Sequence, residues 1–307
     1  MGKTSIEWTD WSINPIRARH KATGAIGHYC EKISAGCANC YASRLQSRFM
    51  MPPFGSGQRR DDVELFLDEK TLQQVLKRKK PTRIFWCDMT DLFGHWVPWR
   101  WIDRCLAVMA LTPQHTHQVL TKRAYQMRHY FLSRRLIYGT DTEWFIQDEM
   151  QKLQPPSTKL SKQKKLILPI PNIHLGISAE NQQELDSRAP HLKATPAALR
   201  FLSYEPALGP LDLSQWIGLC DCGRIEHGRC HEDCPSQSPS VFGWIIAGGE
   251  SGPRAKIRPL KADWIRSARD QCQLAKVPFF FKQWGKHGSK DRLLDGRKWE
   301  EMPHVVA

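Results

Sequence analysis

No apolar run in the 307-residue chain approaches the ~18 residues of a membrane span, which excludes a helical membrane anchor of ordinary type. The stretch from Met1 to Trp8 has no apolar core of a secretory signal. Neither a GxxxxGK(S/T) phosphate loop nor an HExxH zinc helix occurs, and no long internal repeat is found. Acidic residues are few against basic ones: 31 Asp and Glu face 45 Lys and Arg, a net charge of +14. That excess favours a polyanionic partner, most simply nucleic acid. The expected setting is cytoplasmic, with no membrane partner. In such a reducing compartment ten cysteines do not read as a disulfide framework. Seven of the ten fall in two tight clusters, a pattern that points to metal.

The first cluster is Cys30, Cys37 and Cys40, in the spacing Cys-x6-Cys-x2-Cys. Three thiolates are one short of the set that closes a tetrahedral zinc site or caps an iron–sulfur cube. The open position is what catalysis needs. A structural zinc with His20 or His28 as fourth ligand, and a reactive thiol pair, are the competing readings. The second cluster is Cys220, Cys222, Cys230 and Cys234, with His227 and His231 between. Four thiolates in a short polar insert form a closed set, either structural zinc or an auxiliary iron–sulfur cluster, and such an insert needs its metal to order. Residues 216–240 are therefore read as a Cys-rich metal-binding insertion.

Short apolar segments alternate with helical patterns along the chain. Strands are expected at Ser5–Trp8, Ile84–Asp88, His117–Thr121, Ile173–Ser178, Leu199–Ser203, Gly243–Gly248 and Pro278–Lys282. Nearly continuous apolar runs suit strands buried on both faces of a parallel sheet. Apolar stripes at helical spacing run through Tyr41, Leu45 and Phe49; through Leu72, Val75 and Leu76; through Ile102, Cys105, Leu106 and Met109; and through Ile265, Ala268, Cys272 and Ala275. The expected fold is α/β: one domain over residues 1–307, a partial or full parallel (β/α) barrel of about six or seven strands. A doubly wound open sheet is the rival. Polar residues gather just after the expected strands, at Asp88 and Asp91, Thr121 to Arg123, Ser178 to Asn181, Ser203 and Glu205, Gly248 to Ser251, and Lys282 and Gln283. In a parallel barrel those positions share one catalytic rim.

A cysteine triplet after the first strand of such a barrel resembles the radical S-adenosylmethionine (radical SAM) enzymes. Their common spacing has three residues in the first gap where this chain has six. The chain is more closely similar to a phage-associated three-cysteine-motif family, radical SAM-like. The matching stretches are 6–10 with Asn14 and Pro15, 34–42, 89–93, 120–123, 176–181, 203–206, 247–252 and 280–285. The resemblance implies a 4Fe–4S cluster held by Cys30, Cys37 and Cys40, with S-adenosylmethionine on the open iron. One-electron reduction then splits the cofactor into methionine and a 5′-deoxyadenosyl radical. Gly248, Gly249 and Glu250 resemble the Gly-Gly-Glu motif that contacts the methionine amine; a tight turn with a capping Glu is the plainer reading. Glu180 and Glu205 are alternative partners of the amine or the ribose hydroxyls. Tyr41, Ser178, Asn181 and Ser203 complete the expected cofactor-binding set. The expected function is a radical SAM enzyme acting on a nucleic acid or nucleotide, as in phage-type base modification or repair. An electron donor and a protein encoded nearby are the other expected partners. The alternative is a zinc-stabilised nucleic-acid-binding protein without catalysis.

Overall fold

The computed structural model describes residues 2–55, 58–154, 165–219, 240–252, 257–285 and 291–303. It is mixed α/β, built on a large, mostly parallel sheet flanked by helices. Along the chain the first elements are β1 (Gly2–Lys3), β2 (Trp11–Ile13), β3 (Ile16–His20), β4 (Ile26–Gly27), α1 (Tyr41–Leu45), β5 (Val63–Leu67) and α2 (Glu69–Lys77). Then come β6 (Arg83–Trp86), α3 (Trp99–Ala110), β7 (Thr116–Thr121), α4 (Ala124–Leu132), α5 (Arg134–Tyr138) and α6 (Thr142–Leu153). The last third holds β8 (Ile173–Ser178), α7 (Gln182–Ala194), β9 (Leu199–Tyr204), β10 (Trp244–Ala247), α8 (Ala262–Ala275), β11 (Phe279–Phe281), β12 (Leu293–Leu294) and β13 (Arg297–Lys298).

The chain divides into two compact units. Unit one comprises residues 1–33, 42–175 and 194–198. Its strands follow the order β1-β2-β6-β7, then the first half of β8. β2 pairs in parallel with β6, and β6 with β7, while β1 is an antiparallel edge. A separate antiparallel sheet, β4-β3-β5, stands between β2 and β6 in sequence. Unit two comprises residues 34–41, 176–193 and 199–307. It carries the second half of β8, then β9, β10 and β11, with β10 parallel to both of its neighbours. Every residue of β8, β10 and β11 is buried, as strands covered on both faces require.

Six of the seven expected strands form where the apolar runs lie. The seventh does not: Ser5–Trp8 is coil and turn, and the first strand of the parallel series is β2. Trp8 is buried and packs on Phe85 at 4.7 Å, so its apolar character serves packing rather than a strand. The cysteine triplet consequently does not follow the first strand directly. β3 and β4 intervene, in the long crossover between β2 and β6.

Local chemistry explains the helices. Asp68 caps α2 by accepting the Thr71 N–H at 3.2 Å, and Lys77 sits in its last turn, where a cation is favoured. α3 buries Ile102, Cys105, Leu106 and Met109 along one stripe. The same helix buries Asp103, paired with Arg134 at 2.8 Å, and Arg134 itself is only 2% exposed.

Among the described residues unit one buries His28, His115, His117 and His174, and burial shifts three of them strongly. Burial pushes His117 down to about 3, and it does the same to His28 with help from the Arg17 charge; His174 falls to about 4 by burial. The His117 ring is fixed by two bonds: Trp86 Nε1–H donates to Nδ1 at 3.0 Å, and Thr112 Oγ1 lies 2.9 Å from Nε2. Thr112 donates its own proton to the Val108 carbonyl, so the proton of His117 sits on Nε2. All three rings stay neutral in the fold but take up protons near pH 6.5 once the chain unfolds. Their contribution is complete above that pH and is lost as pH falls toward the folded values. At pH 5 each buried ring is expected to cost about 2 kcal/mol of stability. Urea unfolding at pH 7 and pH 5 measures this; a flat profile would contradict it.

Candidate functional site

The segment Ser34–Tyr41 belongs to unit two and carries Cys37 and Cys40. It is a series of tight turns: Cys37 N–H donates to Ser34 O at 2.9 Å, Ala38 N–H to Ala35 O at 3.2 Å, and Cys40 N–H to Cys37 O at 3.4 Å. A three-residue 3-10 turn spans Ala35–Cys37, and α1 begins at Tyr41, which is exposed. The Ser34 hydroxyl lies 3.8 Å from the Cys37 sulfur.

Two buried carboxylates hold this segment in place. Glu180, fully buried, accepts the Gly36 N–H at 2.7 Å and pairs with Arg188 at 3.2 Å. Arg188 also donates to the Ser178 carbonyl at 2.6 Å and binds Glu184, one helical turn away on α7. Glu250 accepts from Asn39 Nδ2 at 2.9 Å and is paired with Arg258, which also donates to the Ala35 carbonyl at 3.0 Å. Burial alone would raise the Glu250 carboxyl. The hydrogen bonds from Arg258 and Asn39 outweigh it and hold Glu250 below the ordinary carboxylate value. Glu180 and Glu250 were both legible as candidates. Asn39, Arg188 and Arg258 were not, although the Glu184–Arg188 spacing of four on α7 is a signal a helical reading could use.

The remaining candidates of unit two divide by role. Glu205 pairs with Lys282 at 3.3 Å, and the Ser203 hydroxyl donates to Glu205 at 3.4 Å. Ser178 donates to the Glu205 carbonyl at 3.0 Å. Asn181 accepts the Glu184 N–H at 3.0 Å and so caps α7. Gly248 and Gly249 are required by close approach. A Cβ on Gly248 would stand 2.6 Å from a Glu205 carboxylate oxygen, and one on Gly249 would stand 2.5 Å from the Trp284 carbonyl. Gly249 N–H also donates to the Gln283 carbonyl at 2.9 Å. Gly249→Ala therefore has to move backbone, and a loss of about 1–3 kcal/mol is expected in chemical denaturation. An unchanged midpoint would contradict that contact.

Unit one carries Cys30 in its own polar network. Cys30 Sγ lies 3.7 Å from the Glu31 carbonyl, which accepts from Arg123 at 3.0 Å. Arg123, 5% exposed, is paired with Asp91 at 3.2 Å and lies 4.4 Å over the Trp96 ring. Thr121 donates to Asp91 at 2.7 Å, and Tyr29 O–H donates to the Glu31 side chain at 2.7 Å. Asp91 and Thr121 to Arg123 follow β6 and β7, so the polar residues expected after parallel strands do meet within this unit.

None of the described cysteines forms a disulfide. Cys30, Cys37 and Cys40 are half-buried, whereas Cys87, Cys105 and Cys272 are buried, and burial pushes all three of those thiols up. Among the described cysteines the first three are the accessible ones, and sulfur is the donor type a soft metal centre takes. Among the described residues no three His, Cys, Asp or Glu side chains stand together as a metal-binding group. The second cluster, Cys220, Cys222, Cys230 and Cys234, and nearly all of the expected insertion lie outside the described residues. No helix among the described residues is long and apolar enough to cross a membrane.

Fold and site together define an α/β protein with a cysteine segment braced by buried carboxylates. The chain belongs to the family described as "Protein of unknown function (DUF5131)", whose profile matches residues 3–303. No curated protein and no solved structure matches it.

Proposed function

We propose that the chain is a cytoplasmic radical SAM enzyme in which Cys30, Cys37 and Cys40 hold a 4Fe–4S cluster, acting on a nucleic acid or nucleotide as in phage-type base modification or repair. Its parallel strands would form a partial or full (β/α) barrel. The observation that carries the reading is the convergence of Glu180 and Glu250 on the cysteine segment, through Gly36 N–H and Asn39. Two carboxylates expected at the cofactor thus bond to Gly36 and Asn39, the residues that precede Cys37 and Cys40. A cluster held by Cys30, Cys37 and Cys40 would supply the electron that cleaves S-adenosylmethionine.

The residues of the chain do the positioning. Gly36 N–H, fixed by Glu180, and Asn39, fixed by Glu250, set the backbone from which Cys37 and Cys40 project. Arg123 fixes the carbonyl of Glu31, the residue after Cys30. Glu205 and Lys282 offer a carboxylate and an ammonium after β9 and β11, suited to a zwitterionic or hydroxylated ligand. An electron donor, a protein encoded nearby, and zinc or a second cluster at Cys220, Cys222, Cys230 and Cys234 belong to the same reading. The test is anaerobic reconstitution with iron and sulfide, then dithionite and S-adenosylmethionine. Formation of 5′-deoxyadenosine supports the proposal; zinc retained with no cluster formed would favour the non-catalytic nucleic-acid-binding alternative.

A further inference from the structure

Six rings of unit one form an unbroken run. Tyr125 stacks on His129 with centroids 6.0 Å apart and planes 4° from parallel. His129 meets Trp99 at 5.3 Å, Trp99 meets Tyr138 at 6.2 Å, Tyr138 meets Phe145 at 5.7 Å, and Phe145 meets Trp144 at 5.1 Å. Tyr125, Tyr138 and Trp144 are 56%, 58% and 57% exposed, unusual for rings of this size. Beneath them the buried Arg134 guanidinium lies 5.1 Å from the Trp99 ring and 4.2 Å from Phe145. Its ion pair with Asp103 fixes it there, so the run has a rigid floor.

Charge accompanies the rings. Arg128 is three residues from Tyr125 on α4, and Arg135 is three from Tyr138 on α5, the spacing that puts helical neighbours on one face. Both arginines are exposed. Unit one holds 27 Lys and Arg against 15 Asp and Glu, so +12 of the chain's +14 resides in it. Leu136 and Ile137, exposed in the same helix, would suit an apolar protein partner. The excess of cations favours a polyanion with flat, stackable groups.

We propose that this run is a platform for single-stranded nucleic acid. Bases stack on Tyr125, Tyr138 and Trp144, and phosphates meet Arg128 and Arg135. Bases held in a duplex do not offer their faces, so single strands are preferred. The inference shares the polyanionic substrate of the reading above but needs none of its radical chemistry.

The test is fluorescence anisotropy of a labelled oligothymidylate with the full chain as isolated, without reductant or S-adenosylmethionine. A duplex of the same length is the comparison. Tyr138→Ala and Trp144→Ala are each expected to weaken binding about tenfold, the worth of one stacked base. Arg128→Gln and Arg135→Gln should each flatten the log–log salt slope by about 0.7. Leu136→Ser should change neither, and unchanged unfolding midpoints show that each variant is folded. Absence of salt-dependent binding, or binding indifferent to both ring variants, would overturn the proposal. So would self-association in sedimentation that Leu136→Ser abolishes while oligonucleotide binding is absent. Failure here leaves the cluster untouched, and failure of the cluster leaves this binding untouched.

Discussion

Cys37→Ala is expected to abolish the iron–sulfur absorption of the reconstituted protein and all formation of 5′-deoxyadenosine. With zinc at the second cluster, the same change at Cys222 should leave both in place. The asymmetry follows from ligand number. Removing one of three thiolates leaves two, too few to hold a cube with an open corner, whereas the second cluster has a full set of its own. The Cys37 side chain is half-buried at the end of a 3-10 turn, so its loss leaves no large cavity. An unchanged unfolding midpoint together with complete loss of the cluster would separate a ligand from a packing residue. Equal loss in both variants would assign the iron differently.

Arg188→Met is expected to give the largest loss of stability among unit two variants, about 3–5 kcal/mol. Arg188 is buried, and its loss removes the 3.2 Å ion pair of the fully buried Glu180. The carboxylate is then left buried without its counter-charge, which costs stability and weakens its hold on the cysteine segment. The variant should therefore lower the chemical-denaturation midpoint and speed hydrogen exchange at Gly36. Glu180→Gln in the same chain should restore part of the stability, because the uncompensated charge is gone. A midpoint within experimental error of the parent would contradict the pairing.

Much of the fold is legible because burial on both faces leaves continuous apolar runs. β8 coincides with its run residue for residue, and β10 and β11 fall inside theirs. Ser5–Trp8 misleads because Trp8 is apolar for packing on Phe85, a contact that no local period reports. β3 was missed because Arg17 and Arg19 interleave Ile16 and Ala18, the alternation of a strand with one covered face, over only five residues. At the site, Glu180 and Glu250 were readable from their place after strands. Arg258, eight residues beyond Glu250 across a loop, has no periodic relation to it. Asn39 stands between the cysteines, and its partner is 211 positions away. Pairings of that kind are made by tertiary structure and leave no spacing in the sequence.

The most direct measurement is the electron paramagnetic resonance spectrum of the anaerobically reconstituted, dithionite-reduced chain, with and without S-adenosylmethionine. A reduced 4Fe–4S signal that changes when the cofactor is added, and that is absent in Cys37→Ala, is the predicted result. A chain that takes up no cluster, or one whose signal is indifferent to S-adenosylmethionine, would contradict a three-cysteine site with an open iron.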